Sequence, residues 1–133
     1  MSDRDVVQLE AGQAPHIIKA VAVRTADGIS VTLTGGDIPH IGAVAVAVPR
    51  PSLTGDGSIS ATVSLITLIG HKDDEVARPA AQRLARALNQ PVVVAAGIHV
   101  GPPHQYNIPP EDIAKVMENC QEILGRLIKE MQA

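Results

Sequence analysis

The sequence predicts a single α/β domain of the α+β type, with the element order ββββαβα. Apolar residues alternate with a period of two in the first half of the chain and recur at helical spacing in the second half. The 133 residues are enough for one domain with its own core, and 45% hydrophobic with 19% charged residues is an ordinary globular balance. We expect one domain over residues 1–133, with 1–14 as a flexible N-terminal segment.

Four strands are predicted in the first half. They cover residues 16–24, 29–34, 41–48 and 58–68. Asp27-Gly28 separates the first two and indicates a two-residue hairpin turn, in which both central positions need positive φ. The third strand contains no polar residue, which predicts a central strand covered on both faces.

The second half predicts a helix over 73–88, a short buried strand over 92–96 and a long helix over 109–131. The acids that follow Gly70 favour a helix N-terminus, and Pro79 is expected in or near the first turn. Cys120 falls on the apolar stripe of the last helix, so we interpret it as a small buried hydrophobe.

The predicted order of elements determines at which edge of the sheet each loop lies. The four strands should form an antiparallel meander with the helices on one face, in two or three layers. The helical crossover should make the fourth and fifth strands parallel. The loops after both strands, and the loop between the second and third, then share one edge of the sheet, whereas the loop 49–57 lies on the opposite edge.

Four of the five histidines lie in the loops of the shared edge. Loops on a rigid scaffold are common positions for binding residues. The side chains expected to converge there are His40, His71, Lys72, His99, His104 and Tyr106. Arg50, at the opposite edge, can join them only from another subunit or by folding back.

Three interpretations of these residues stay open at this point. The histidines can bind a metal, form hydrogen bonds within their loops, or act as donors and flat surfaces for an anionic, planar ligand. Lys72 precedes a helix N-terminus, which favours a phosphate. Alternatively, Asp73 and Asp74 cap that helix themselves.

Composition argues against several classes of protein. A net charge of −3 and a single aromatic residue, Tyr106, disfavour nucleic-acid binding. No apolar run is long enough for a transmembrane helix, and the first residues lack signal-peptide features. The lone Cys120 fits a reducing cytosol. No recognised catalytic triad motif occurs, so binding is better supported than catalysis.

Five motifs in the chain resemble the small prenylated-flavin chaperones of the LpdD type. The motifs are Pro39-His40-Ile41-Gly42-Ala43-Val44, Arg50-Pro51-Ser52, Ser60-Ala61-Thr62, Gly70-His71-Lys72-Asp73-Asp74 and Ala96-Gly97-Ile98-His99. The resemblance covers roughly residues 15–131. It implies a homodimer with a fold similar to proteasome assembly chaperones. It also implies binding of reduced prenylated FMN and its transfer to an apo UbiD-type decarboxylase, without catalysis by the chaperone.

Two rival functions remain beside that resemblance. One is a metal-dependent enzyme that uses the histidine cluster, and the other is a protein-assembly module without a small ligand. Self-association is also expected from the residues themselves. The apolar strand 41–48 and the apolar stripe of the last helix offer more apolar surface than one small sheet covers.

Overall fold

The computed structural model describes residues 5–68 and 72–133. They form one six-stranded sheet and two α-helices. The elements in chain order are β1 (Val6–Ala11), β2 (Ile18–Arg24), β3 (Ile29–Gly36), β4 (Ala43–Pro51), β5 (Ile59–Thr67), α1 (Asp74–Leu88), β6 (Val92–His99) and α2 (Pro110–Gln132). The predicted α+β class is confirmed, but the predicted number and order of strands are wrong.

The additional strand is β1, which lies within the segment expected to be a flexible tail. Val6–Ala11 pairs antiparallel with β2, from Val6 opposite Val23 to Ala11 opposite Ile18. Val7 and Leu9 pack against the core, while Gln8 and Glu10 are exposed. The alternation of apolar and polar residues is therefore that of a half-buried edge strand.

The order of strands in the sheet is β1-β2-β3-β6-β4-β5. The expected meander is interrupted, because β6 inserts between β3 and β4 and is parallel to the first and antiparallel to the second. Combined with the antiparallel β4–β5 pair, this makes β6 parallel to β5 in direction. The crossover through α1 therefore has the predicted sense, although β5 and β6 are not neighbours.

Both helices pack on one face of the sheet. Alanines make the close approach possible: Ala43, Ala45 and Ala47 of β4 are fully buried, and Ala77 and Ala81 of α1 are fully buried as well. On α2, Cys120 is 3% exposed, and burial raises the pKa of its thiol to about 12. Its interpretation as a buried small hydrophobe is confirmed.

The opposite face of the sheet is not covered within the chain. The expectation that the third predicted strand is covered on both faces is wrong for the single chain, since Val46 is 39% and Val48 50% exposed. The register aligns Val46 with Val93 on one side and with Ser64 on the other. The exposed centre of the sheet is therefore made of valine and small polar side chains.

The turn before β3 differs from the two-residue hairpin that was predicted. Arg24 pairs with Ile29, and Thr25 donates its backbone N–H to the carbonyl of Gly28 over 2.8 Å. The turn is therefore centred on Ala26 and Asp27 rather than on Asp27 and Gly28. Neither Asp27 nor Gly28 has a positive φ. A Cβ on Gly28 would lie 2.9 Å from the carbonyl oxygen of Pro91, so close packing, rather than the turn type, explains this glycine.

Two smaller details complete the fold. Pro79, expected in or near the first helical turn, lies in the second turn of α1, and the helix continues past it. Within the described ranges, neither helix is both long enough and apolar enough to cross a membrane.

Candidate functional site

Three loops meet at one edge of the sheet, at the carboxyl ends of β3, β5 and β6. These strands run in the same direction, as the pairings of the sheet require. The loop after β3, the segment that leads into α1 and the loop after β6 therefore lie together, as predicted. The β4–β5 hairpin lies at the opposite edge, which also agrees with the prediction.

The carboxylate of Asp73 joins the three loops. This side chain is 7% exposed and accepts a hydrogen bond from His40 Nε2 over 2.8 Å through Oδ2. Its Oδ1 accepts the backbone N–H of Ile98 over 2.9 Å. The other ring nitrogen of His40, Nδ1, lies 2.9 Å from the carbonyl oxygen of Ile38, so both ring nitrogens face oxygen atoms. One buried acid thus links the loop after β3, the start of α1 and the end of β6.

Two glycines make room for this junction. A Cβ on Gly42 would overlap the carboxylate of Asp73, and a Cβ on Gly97 would overlap the backbone carbonyl of His40. Asp73 was interpreted from the sequence only as a possible helix cap. In the sequence, the glycines on both sides of His40 and at the end of β6 could have indicated close packing at this position. Their spacing does not show that Asp73 is the residue packed there.

The first turn of α1 has no side-chain cap from Asp73. The residue occupies the N-cap position, yet its carboxylate makes no capping hydrogen bond because it faces His40 and Ile98. Its backbone carbonyl, by contrast, accepts the N–H groups of Val76 and Ala77. For Asp73 the interpretation as a side-chain cap is wrong, and backbone carbonyls of residues 72 and 73 accept the first N–H groups of the helix instead.

A cavity of about 330 Å³ opens between α1, α2 and the loop after β6. Its polar side chains are Lys72, Asp73, Glu75, His99, Tyr106 and Asn107. Its apolar side chains are Val76, Ile98, Val100, Ile108, Ile113, Val116 and Met117. This combination of an apolar wall with a few polar groups is typical of small-molecule sites, and the volume lies at the small end of their range.

The loop after β6 is shaped by its own polar contacts. His99 Nε2 donates to the carbonyl of Pro102 over 2.7 Å, and Gly101, at φ +100°, donates its N–H to Asp37 Oδ2 over 2.8 Å. The second contact ties this loop to the loop after β3. Tyr106 then lies at the cavity with 66% of its surface exposed.

The fifth histidine, His16, anchors the other wall. Its Nε2 donates to Asp112 Oδ1 over 2.7 Å, and its backbone carbonyl accepts the side-chain amide of Asn119 over 2.9 Å. Both partners lie on α2. The contacts hold the N-terminal half of that helix, which carries Ile113 and Met117, beside the cavity.

The cavity brings together some of the residues predicted from the sequence. Lys72, His99 and Tyr106 line it, whereas His40 lies behind Asp73 and supports it. His104 is exposed in the same loop but does not line the cavity. His71 lies outside the described residues.

Arg50 lies apart from these residues, at the opposite edge of the sheet. There it donates to Thr62 Oγ1 over 3.0 Å and to the carbonyl of Pro51 over 3.1 Å. A contribution to the cavity of the same chain is therefore not supported.

No group of three or more metal-ligating side chains occurs among the residues that the structure describes. His40 is engaged with Asp73, and His99 with a backbone carbonyl. These contacts favour histidines that shape the loops over histidines that converge on a metal ion.

Comparison with known proteins identifies the family. The family model of the prenylated flavin chaperone LpdD-like domain matches residues 12–132, nearly the whole chain. The chain belongs to this family. Its matched region includes all three loops of the site, and the resemblance noted from the sequence motifs is confirmed.

A solved structure supports the fold. The chain is similar to a structure described as a novel chaperone complex for yeast 20S proteasome assembly, with 19% identity and a TM-score of 0.60. The match covers 95% of this chain and 96% of the other. At this identity the likeness concerns the fold alone. No curated protein matches the chain.

The junction at Asp73 yields a stability prediction. Asp73→Ala leaves the N–H of Ile98 and the ring of His40 without their acceptor, so the free energy of unfolding should fall by roughly 1–3 kcal/mol. Glu75→Ala, which removes an exposed acid from the same helical turn, should cost less, about 0.3–1 kcal/mol. Urea denaturation of both variants measures the difference, and equal losses would contradict the role of the junction.

Proposed function

We propose that this chain binds reduced prenylated FMN in the cavity beside Lys72 and delivers it to an apo UbiD-type decarboxylase. The observation that carries the proposal is the cavity itself, in a chain of the prenylated flavin chaperone family. It joins Lys72, at the N-terminal end of α1, to an apolar wall. A flavin mononucleotide has the same division, with a phosphate at one end and a largely apolar ring system at the other.

The phosphate end of the ligand is proposed to lie at Lys72 and the first turn of α1. The dipole of α1 favours an anion at its N-terminal end, and the ammonium of Lys72 adds a charge-assisted hydrogen bond. Glu75 also lines the cavity and lowers the local positive potential. The resulting attraction is moderate, which suits a carrier that must release its cargo.

The ring system is proposed to enter the cavity between the helices. Asn107 and Tyr106 lie at its mouth and can donate hydrogen bonds to the edges of the ring. Tyr106 can also cover one face of the flavin. His99 presents its ring from the same loop, and His104 and His71 are proposed as further contacts of the ligand.

The chain is proposed to act as a carrier rather than as an enzyme. Two polar groups of the cavity have partners that fix the shape of the site: Asp73 is held by His40 and Ile98, and His99 by Pro102. Such groups position a ligand and need not react with it. A reducing cytosol is the proposed location, in keeping with the reduced state of the flavin and the lone Cys120.

A homodimer is proposed through the exposed face of the sheet. Val21, Val46, Val48, Ile66 and Val93 lie on that face and are 37–70% exposed. At the margin of this face Lys19 pairs with Glu10 over 3.4 Å. A second copy packed sheet to sheet would cover this apolar centre. Only in such an assembly can Arg50 of one chain contribute to the site of the other.

The first test concerns the ligand. Lys72→Ala should weaken binding of reduced prenylated FMN by roughly 10- to 100-fold, because a hydrogen bond to a charged group contributes about 1.5–3 kcal/mol. Lys129→Ala removes the same charge near the far end of α2 and should bind as the wild type does. Anaerobic fluorescence titration measures the affinities. Equal binding by Lys72→Ala and wild type would exclude the proposed phosphate position.

The second test concerns assembly. Light scattering should give the mass of a dimer for the wild type and of a monomer for Val46→Glu, because the new carboxylate would be buried between the two sheets. Leu53→Glu, at a hairpin tip where Leu53 is 90% exposed, should stay dimeric. A monomeric wild type, or a dimeric Val46→Glu variant, would contradict the proposed interface.

A further inference from the structure

The residues of α2 that line the cavity are apolar, and one of them is partly exposed to solvent. Ile113, Val116 and Met117 recur at the spacing of one helical face. Val116 is 7% exposed and belongs to the core, whereas Ile113 keeps 49% of its surface exposed at the cavity. A half-exposed isoleucine at the mouth of a binding cavity offers apolar area that a ligand can cover.

The same wall continues beyond the cavity. A groove of about 500 Å³ between α1 and α2 shares Glu75, Val76 and Met117 with the cavity. It extends to Cys120 and Leu124, and Arg83 and Gln121 line its polar side. Val76 and Met117 therefore line both the cavity and the groove. The polar groups of the cavity, by contrast, are collected at the start of α1 and on the loop after β6.

This division of the cavity bears on which flavin is preferred. Plain and prenylated FMN carry the same phosphate, so Lys72 and the helix end attract both equally. They differ by an apolar, prenyl-derived group on the ring system. Discrimination must therefore come from contacts with that group, and even one additional methylene in a hydrophobic pocket changes affinity by roughly 10- to 200-fold.

We propose that Ile113 and Met117 select prenylated over plain reduced FMN by covering the prenyl-derived group. Lys72 supplies affinity for both flavins, and the α2 wall supplies the preference between them. The inference rests on the proposed function, since it concerns the same cavity. It assigns the specificity to two side chains of α2 rather than to the histidines of the loops.

The experiment compares two ligands on each variant. Wild type should bind reduced prenylated FMN at least ~10-fold more tightly than plain reduced FMN in anaerobic titrations. Ile113→Ala and Met117→Ala should each lower that ratio several-fold, chiefly by weakening the prenylated ligand, while Ile113→Leu should restore most of it. Lys72→Ala should weaken both ligands and leave the ratio unchanged. Leu53→Ala, an exposed leucine at the opposite edge, is the matched control.

The outcomes separate this inference from the function on which it rests. If wild type binds neither flavin, the proposed function fails and the inference fails with it. If wild type binds both flavins equally, or if Ile113→Ala and Met117→Ala leave the ratio unchanged, only the selective role of α2 is overturned. Circular dichroism of each variant ensures that a loss of binding is not a loss of fold.

Discussion

The buried carboxylate of Asp73 is the contact on which the site depends. It accepts hydrogen bonds from His40 and from the backbone of Ile98, and so it connects the loop after β3, the start of α1 and the end of β6. A buried acid is tolerated only when such partners satisfy it. Because the carboxylate is used in this way, it does not cap α1. The hydrogen bonds of Asp73 therefore hold the loops together and fix one side of the cavity.

The two faces of the sheet differ: one packs against the helices and the other is exposed. On one face, alanines such as Ala45 and Ala81 let α1 approach the strands closely, which brings its N-terminus to the carboxyl edge of β6. On the other face, Val46 and Val93 stand side by side without cover in the chain. The alternation of alanine and valine along β4 thus separates a helix-packing face from a face proposed for self-association.

Much of the fold and part of the site follow from local sequence patterns. Periodicity located both helices and five of the six strands, since each pattern reflects which side of an element is buried. The insertion of β6 between β3 and β4 depends on pairings between distant segments, which no local pattern contains. The shared edge could still be predicted, because it depends on strand direction rather than on which strands are neighbours. The role of Asp73 was missed because an acid before a helix is usually a cap.

The cavity at Lys72 is the proposed binding site of the flavin. Backbone amide NMR shifts, recorded as reduced prenylated FMN is added anaerobically, show which residues the ligand contacts. Binding in this cavity should produce the largest changes at residues 72–76, 98–100 and 106–117, with smaller changes in the hairpin at 51–58. Largest changes in that hairpin, with the amides around the cavity unaffected, would exclude the cavity as the binding site.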